Sequence, residues 1–311
     1  MSIILFFVDG VGLGERNENN PFFTGATPFI SSLLAGGKMT KEAAGKDYKE
    51  ASLLALDAGL GLAGLPQSAT GQTALFTGIN GAKFLGYHLN GLPNRILRNV
   101  LAEHGVFLQL QKKQLRGTFA NAYRPDFFEE LKGGLEGYYS CSTLITYYGG
   151  LPFRYLDDLR RGEAVYMDIN NTVLRRLGFD LPLITPQEAG RILLKISSRY
   201  DLTLFEHFLT DIAGHNRDKS FAAETIATLD AFLGAAVQGL PQGDLLLLTS
   251  DHGNLEDLSK KGHTTNPVPA LVVGNERGRL VDLLSQKGSI TAVTPALLEQ
   301  LSGDSQLSTA N

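Results

Sequence analysis

Ile3-Ile4-Leu5-Phe6-Phe7-Val8-Asp9-Gly10 opens the chain with six apolar residues that stop at an aspartate and a glycine. An apolar run this short, ended by polar punctuation, is the pattern of a strand buried on both faces of a parallel sheet whose carboxyl end meets a ligand. Three more runs repeat it. Residues 52–56 lead towards a glycine-rich turn, 202–208 stop before Asp211, and 245–248 stop before Asp251. Helical patterns lie between them: Thr27 reads as an N-cap for 28–34, Ala189, Ile192, Leu193 and Ile196 share one face of 187–198, and 221–237 repeats apolar residues at helical spacing. This alternation predicts an α/β fold with a mostly parallel sheet.

At about 150 residues per domain, 311 residues give a prior of two domains. Residues 83–184 hold most of the tyrosines, the single cysteine and several Gly-Gly or Gly-Leu-Pro breaks, and are expected to form a small inserted α+β cap. The core is then 1–82 and 185–311, and its small, polar end from Gly303 to Asn311 is expected to fray.

Lys plus Arg number 28 against 32 Asp plus Glu, and no segment concentrates base, which argues against nucleic acid as a partner. One cysteine, Cys141, makes no intramolecular disulfide and is expected to pack as a small hydrophobe. The first residues lack a basic n-region, so a cytoplasmic, reduced setting is expected. No apolar run approaches the roughly 20 residues of a bilayer crossing, so no membrane partner is expected either. Oligomeric state is not legible.

Three aspartates sit just beyond predicted strands: Asp9, Asp211 in Thr210-Asp211-Ile212-Ala213-Gly214-His215, and Asp251 in Ser250-Asp251-His252-Gly253-Asn254. Parallel strands would bring them to one sheet edge, where each carboxylate pair at 4 Å costs about 4 kcal/mol at an effective dielectric of 20. A cation is therefore required, and none of the three motifs contains Lys or Arg. His215, His252 and His263 lie in or beside the same segments, and imidazole with carboxylate is a divalent-metal ligand set. Six such side chains suffice for two ions, and two dications outweigh three carboxylates, so the site would attract an anion. Paired metals typically clamp the attacking and leaving oxygens of a phosphoryl transfer. Ser68, in Leu65-Pro66-Gln67-Ser68-Ala69-Thr70-Gly71, is the leading hydroxyl nucleophile, particularly if a helix starts there and its free N–H groups support bound phosphate.

These segments resemble the alkaline phosphatase superfamily, and within it the cofactor-independent phosphoglycerate mutases and phosphopentomutases. The resemblance rests on Asp9-Gly10-Val11-Gly12, Ala26-Thr27-Pro28, Gly64-Leu65-Pro66-Gln67-Ser68-x-x-Gly71, Asp211-x-x-Gly214-His215, Asp251-His252-Gly253-Asn254 and His263-Thr264-Thr265-Asn266-x-Val268-Pro269. It implies a three-layer sandwich, one metal held by Asp211, His215 and His263, a second held by Asp9, Ser68, Asp251 and His252, and transient phosphorylation of Ser68. Gln72 stands where the family usually has histidine, and the insert is much shorter than that of the phosphoglycerate mutases and carries no arginine-rich pattern.

The expected activity is two-metal phosphoryl transfer on a small phosphorylated metabolite, with manganese or zinc favoured over magnesium. Water as acceptor gives a phosphatase, and the substrate's own hydroxyl gives a mutase. A sulfatase or phosphodiesterase on the same scaffold, or a non-enzymatic metal-dependent binding protein, stays open. In the insert, His88 is a candidate general acid and Arg124 a candidate phosphate or carboxylate ligand. His207 is expected to be buried, with a hydrogen bond to a ligand as its alternative role. Asp9-Gly10-Val11-Gly12-Leu13-Gly14-Glu15 fails the dinucleotide fingerprint at Glu15, and no Gly-x-Ser-x-Gly elbow surrounds Ser68.

Overall fold

Successive side chains of a strand point to opposite faces, so a fully apolar strand needs a hydrophobic layer on each side. The computed structural model, which describes residues 1–127 and 139–307, supplies both. Ile3, Leu5 and Phe7 pack with Leu75, Phe107, Leu144 and Leu297 on one face, while Ile4, Phe6 and Val8 pack with Ile30, Leu193, Ile226 and Phe232 on the other. Helices Ser68–Thr77, Arg95–His104, Val106–Lys112, Cys141–Tyr148 and Val293–Leu307 cover the first face, and Pro28–Leu33, Pro186–Ser197 and Lys219–Gln238 the second. The result is an α/β sandwich of three layers.

The sheet has strands β1 (Ile3–Val8), β2 (Lys46–Asp47), β3 (Ala51–Leu56), β4 (Gly117–Phe119), β5 (Leu202–His207), β6 (Leu245–Thr249) and β7 (Val268–Val273), ordered β2-β3-β7-β6-β1-β5-β4. Strands β6, β1, β5 and β4 run parallel. Strand β7 is antiparallel to both β6 and β3, and β2 is antiparallel to β3. The sheet is mixed: β3, β6, β1, β5 and β4 run in one direction as expected, while β2 and β7 are reversed, residues 268–273 entering its middle. That reversal matters for the site: the ends of β1, β5 and β6 and the beginning of β7 all lie at one edge, so the segment carrying His263 arrives beside Asp9, Asp211 and Asp251.

Residues 83–184 do not stand apart as a complete inserted cap. Strand β4 joins the main sheet, and Leu101, Val106, Phe107, Leu110, Leu144 and Ile145 belong to the first-face core. Only a smaller cluster, Ala122, Leu156, Ala164, Tyr166, Leu174 and Leu181, packs separately. The tyrosine-rich composition marked a change in what the segment covers rather than a domain boundary. Cys141 is buried against Thr73 and the Ala69 carbonyl. Helix Val293–Leu307 takes in the start of the expected frayed tail, and 308–311 lie outside the described residues.

Two local expectations also change. Thr27 occupies the N-cap of Pro28–Leu33 without a side-chain bond, and the capping comes from Asp230, whose carboxylate accepts the Phe29 and Ile30 N–H groups at 3.0 and 2.8 Å. Asp230 lies in helix Lys219–Gln238, which by length and composition is apolar enough to cross a membrane; here Ala222, Ile226, Leu229, Phe232 and Leu233 are buried against the sheet. Glu224 and Asp230 break up its apolar residues, so no continuous run was visible. The rings of Phe6, Phe205 and Phe232 meet at centroid separations of 5.0–5.4 Å. Phe232→Ala is expected to cost about 3–5 kcal/mol, read from the urea unfolding midpoint at constant m.

Candidate metal centre

The seven side chains expected to act together come from five segments at one sheet edge. Asp9 follows β1 directly, its N–H donating to the His207 carbonyl at 3.0 Å, while its own carbonyl accepts the Thr210 hydroxyl at 2.6 Å. Asp211 and His215 sit one turn apart in helix Leu209–Asn216 rather than in the expected loop. Spacing by four residues puts both on one helix face, and His215 Nε2 lies 3.3 Å from Asp211 Oδ2. Asp251 and His252 follow β6, and His263 precedes β7. Ser68 is the first residue of helix Ser68–Thr77, with its Oγ 3.0 Å from His252 Nε2.

The donors fall into two groups sharing one imidazole. Ligating atoms of Asp9, Asp251 and His252 lie within 4.8 Å of one another, as do those of Asp211, His252 and His263. His215 touches Asp211 but lies outside both groups. The His252 and His263 rings stack with centroids 3.7 Å apart. A carbonyl can only accept, so the 2.8 Å contact of His263 Nδ1 with the Pro66 carbonyl places a proton on Nδ1 and turns Nε2 towards Asp211 Oδ1, 3.8 Å away.

Close backbone approach makes this possible at two glycines. Gly10 has φ of +68°, and a Cβ there would fall 2.4 Å from Asp211 Oδ1. At Gly71 a Cβ would lie 2.7 Å from the Asp251 carbonyl oxygen, so the Ser68 helix rests directly on the Asp251 backbone.

Burial, then the charges of Asp251 and Asp211, push the Asp9 carboxyl well above the usual carboxylate range. Burial and Asp211 likewise push Asp251 up to about 7. His252 moves the other way, down to about 3, through burial and the neighbouring His263. The edge therefore holds neutral imidazole beside carboxyls that strongly favour a nearby positive charge. Asp9 Oδ1 and Asp251 Oδ2 are buried without a hydrogen-bond partner among the described residues, and they lie 3.4 and 3.5 Å from His252 Nε2. Orphaned carboxylate oxygens beside an imidazole nitrogen fit a divalent metal, for which carboxylate with imidazole is the matching donor chemistry.

Residues that sequence reading passed over organise the edge. Glu256 is buried and binds three of its segments: Oε2 accepts the Gly12 and Asn254 N–H groups, each at 2.8 Å, and Oε1 accepts Asn266 Nδ2 at 2.9 Å and the Thr264 hydroxyl. Asn254 donates to Asp211 Oδ1 at 2.6 Å. Gln72, standing where histidine was expected, donates to Asp9 Oδ2 at 3.3 Å. The signal for Glu256 was its position two residues past the Asp-His-Gly-Asn motif.

The insert candidates lie off the metal-ligand groups. His88 packs near Gly64, ahead of the Ser68 segment, and its ring nitrogens have no partner among the described residues. Arg124 lines a cavity with Glu206 and Phe208. His207 is buried, donates from Nδ1 to the Met167 carbonyl at 2.7 Å, and is driven down to about 4 chiefly by burial.

With this geometry in place, the family model described as "Metalloenzyme superfamily" matches residues 183–305. The matched segment, about two fifths of the chain, holds Asp211, His215, Asp251, His252 and His263. Among curated proteins the chain is similar to the 2,3-bisphosphoglycerate-independent phosphoglycerate mutase of Desulforudis audaxviator (strain MP104C), 32% identical over 132 residues, which are 40% of this chain and 25% of that protein. The protein of the same description from Syntrophotalea carbinolica is 36% identical over 130 residues, covering 40% and 24%. The chain thus spans about a quarter of the length of the curated relatives it matches. Among solved structures, the PH0037 protein from Pyrococcus horikoshii shares the fold at a TM-score of 0.57 and 13% identity, with 96% of each chain covered.

Two predictions follow from the edge. Glu256→Gln keeps the shape but turns one acceptor oxygen into a donor facing N–H or O–H groups; the bound divalent metal content should fall at least about 10-fold in affinity, measured by titration with a metal indicator. Glu206, buried beside Ser142, is pushed up from 4.5 to about 7 by burial. A raised folded-state pKa adds stability below the unfolded value that disappears as pH rises through about 7. Glu206→Gln should therefore flatten the loss of unfolding free energy between about pH 5 and about pH 8 by a few kcal/mol, seen in urea titrations of metal-free protein.

Proposed function

We propose that this protein catalyses metal-dependent phosphoryl transfer on a small phosphorylated metabolite, with Ser68 as nucleophile. The observation that carries the reading is the position of the Ser68 hydroxyl: at the first turn of a helix and 3.0 Å from His252 Nε2, which itself lies 3.4 and 3.5 Å from the Asp9 and Asp251 carboxyls. The similarity to phosphoglycerate mutases supports it.

Asp9, Asp251 and His252 would hold one divalent ion, with Ser68 beside it, and Asp211, His263 and the adjacent His215 a second. Bound there, manganese or zinc supplies positive charge that lowers the hydroxyl pKa and neutralises the developing charge on phosphoryl oxygens. Ser68 Oγ would lose its proton to solvent and form the new bond to phosphorus as the P–O bond to the ester oxygen breaks, and that oxygen would take a proton from solvent and depart as the free alcohol. The free N–H groups of the first turn of helix Ser68–Thr77 point at the transferred group. The resulting phosphoserine passes the phosphoryl group to water, giving a phosphatase, or to a second substrate hydroxyl, giving a mutase. Asn254 and Glu256 keep the ligand segments in register throughout.

A screen of phosphorylated metabolites with manganese-loaded protein, following both phosphate release and phosphate migration, tests the reading. Ser68→Ala should lower turnover by at least about 1,000-fold while leaving metal content largely intact. Undiminished turnover in that variant removes Ser68 as nucleophile, and turnover that survives complete chelation removes the metal-dependent mechanism.

A further inference from the structure

We propose that the substrate of this site carries an apolar, ring-sized body, lodged in the cavity beside β5, and is not a small polyol or sugar-acid phosphate. The inference rests on the phosphoryl-transfer reading and adds the substrate class.

The cavity measures about 480 Å³, within the usual range for a small-molecule site. Its wall includes neighbours of the elements that deliver Ser68 and Asp211. Phe208, in its wall, immediately precedes the Asp211 helix; Thr143, also in its wall, lies in the helix whose Cys141 touches the Ala69 carbonyl next to Ser68. Its surface is largely hydrocarbon and aromatic, with Phe119, Tyr123, Phe127, Tyr166 and Phe208 contributing rings.

Apart from Arg124 and the Tyr166 hydroxyl, the polar side chains of the wall are already hydrogen-bonded within the protein. Asn121 brackets the Glu206 backbone, donating to its carbonyl at 2.7 Å and accepting its N–H at 2.9 Å. A continuous chain of hydrogen bonds joins Tyr123 to Thr143, Thr143 to Ser140, Ser140 to Ser142, and Ser142 to the Glu206 carboxyl, each between 2.6 and 2.9 Å. Arg124 is the cation of the described wall, and no carboxylate among the described residues pairs with it. An incoming molecule therefore meets rings, aliphatic groups, one guanidinium and one phenolic hydroxyl. Hydroxyls of a polyol would leave water for a wall whose hydrogen-bonding capacity is largely committed, whereas an apolar body replaces water at hydrocarbon. Leu92 and Leu177, both lining the cavity, leave 38% and 53% of their surface in water, so the apolar character continues to its mouth.

The test compares kcat/KM of the manganese-loaded protein for 2-naphthyl phosphate and glycerol 2-phosphate, and binding of phosphate-free 2-naphthol to Ser68→Ala by calorimetry. The expected result is at least about a 10-fold preference for the naphthyl ester. Leu177→Asp, at the half-exposed mouth where folding tolerates charge, should shrink that ratio at least about 10-fold, mainly through KM, and weaken naphthol binding in parallel. Ser68-dependent turnover that favours the glycerol ester, or a ratio and naphthol affinity unmoved by Leu177→Asp, overturns the proposal while leaving phosphoryl transfer standing. Absence of turnover with every phosphoester defeats the parent reading instead, and naphthol binding then still decides whether the cavity takes an apolar body. Should Leu177→Asp fail to fold by circular dichroism, failure of the unsubstituted cavity to bind naphthol is the overturning result.

Discussion

Three carboxyl groups gathered at one buried sheet edge cannot all ionise without a compensating charge, and most of what surrounds Asp9, Asp211 and Asp251 answers that constraint. Burial removes the water that would screen Asp9 and Asp251, which raises both their proton affinity and their affinity for a cation. Among the described residues, no Lys or Arg hydrogen-bonds or ion-pairs with these carboxyls. What the chain brings instead is imidazole, its ring nitrogens oriented by hydrogen bonds such as that from His263 to Pro66. The arrangement is unfavourable as a set of bare acids and favourable as a ligand shell.

The fold meets this constraint through strand direction. Parallel β1, β5 and β6 deliver acidic ends to a common edge, and antiparallel β7 lets a segment entering the sheet contribute there as well. Glu256 then binds the Gly12, Asn254 and Thr264 segments to one carboxylate, so parts of the chain separated by more than two hundred residues are held by one side chain.

Much of this was legible in the sequence. The runs ending at Asp9 and Asp251 read correctly as strands because an apolar stretch with an acidic stop is distinctive, and the spacing of Asp211 and His215 pointed to shared chemistry even though the intervening residues form a helix. Strand β7 was hidden because Val268-Pro269 continues the His263 motif, and proline argues against a central strand. The role of residues 83–184 was obscured for another reason: three-residue β4 is too short for periodicity to register, so nothing local announced that this segment returns to the main sheet. Glu256 left only its place two residues past the Asp-His-Gly-Asn motif as a signal, since half of its partners are backbone N–H groups that no motif records.

The contact at Gly71 has a mechanical consequence. With no side chain between them, the first turns of the serine-bearing helix and the peptide of Asp251 form a seam of main chain against main chain. Such a seam has no rotamers to exchange and little free volume, so thermal agitation carries the hydroxyl and the acidic loop together as a single rigid piece. Reach between them is thereby set by covalent geometry, and adaptation to different cargo is left to the opposite wall.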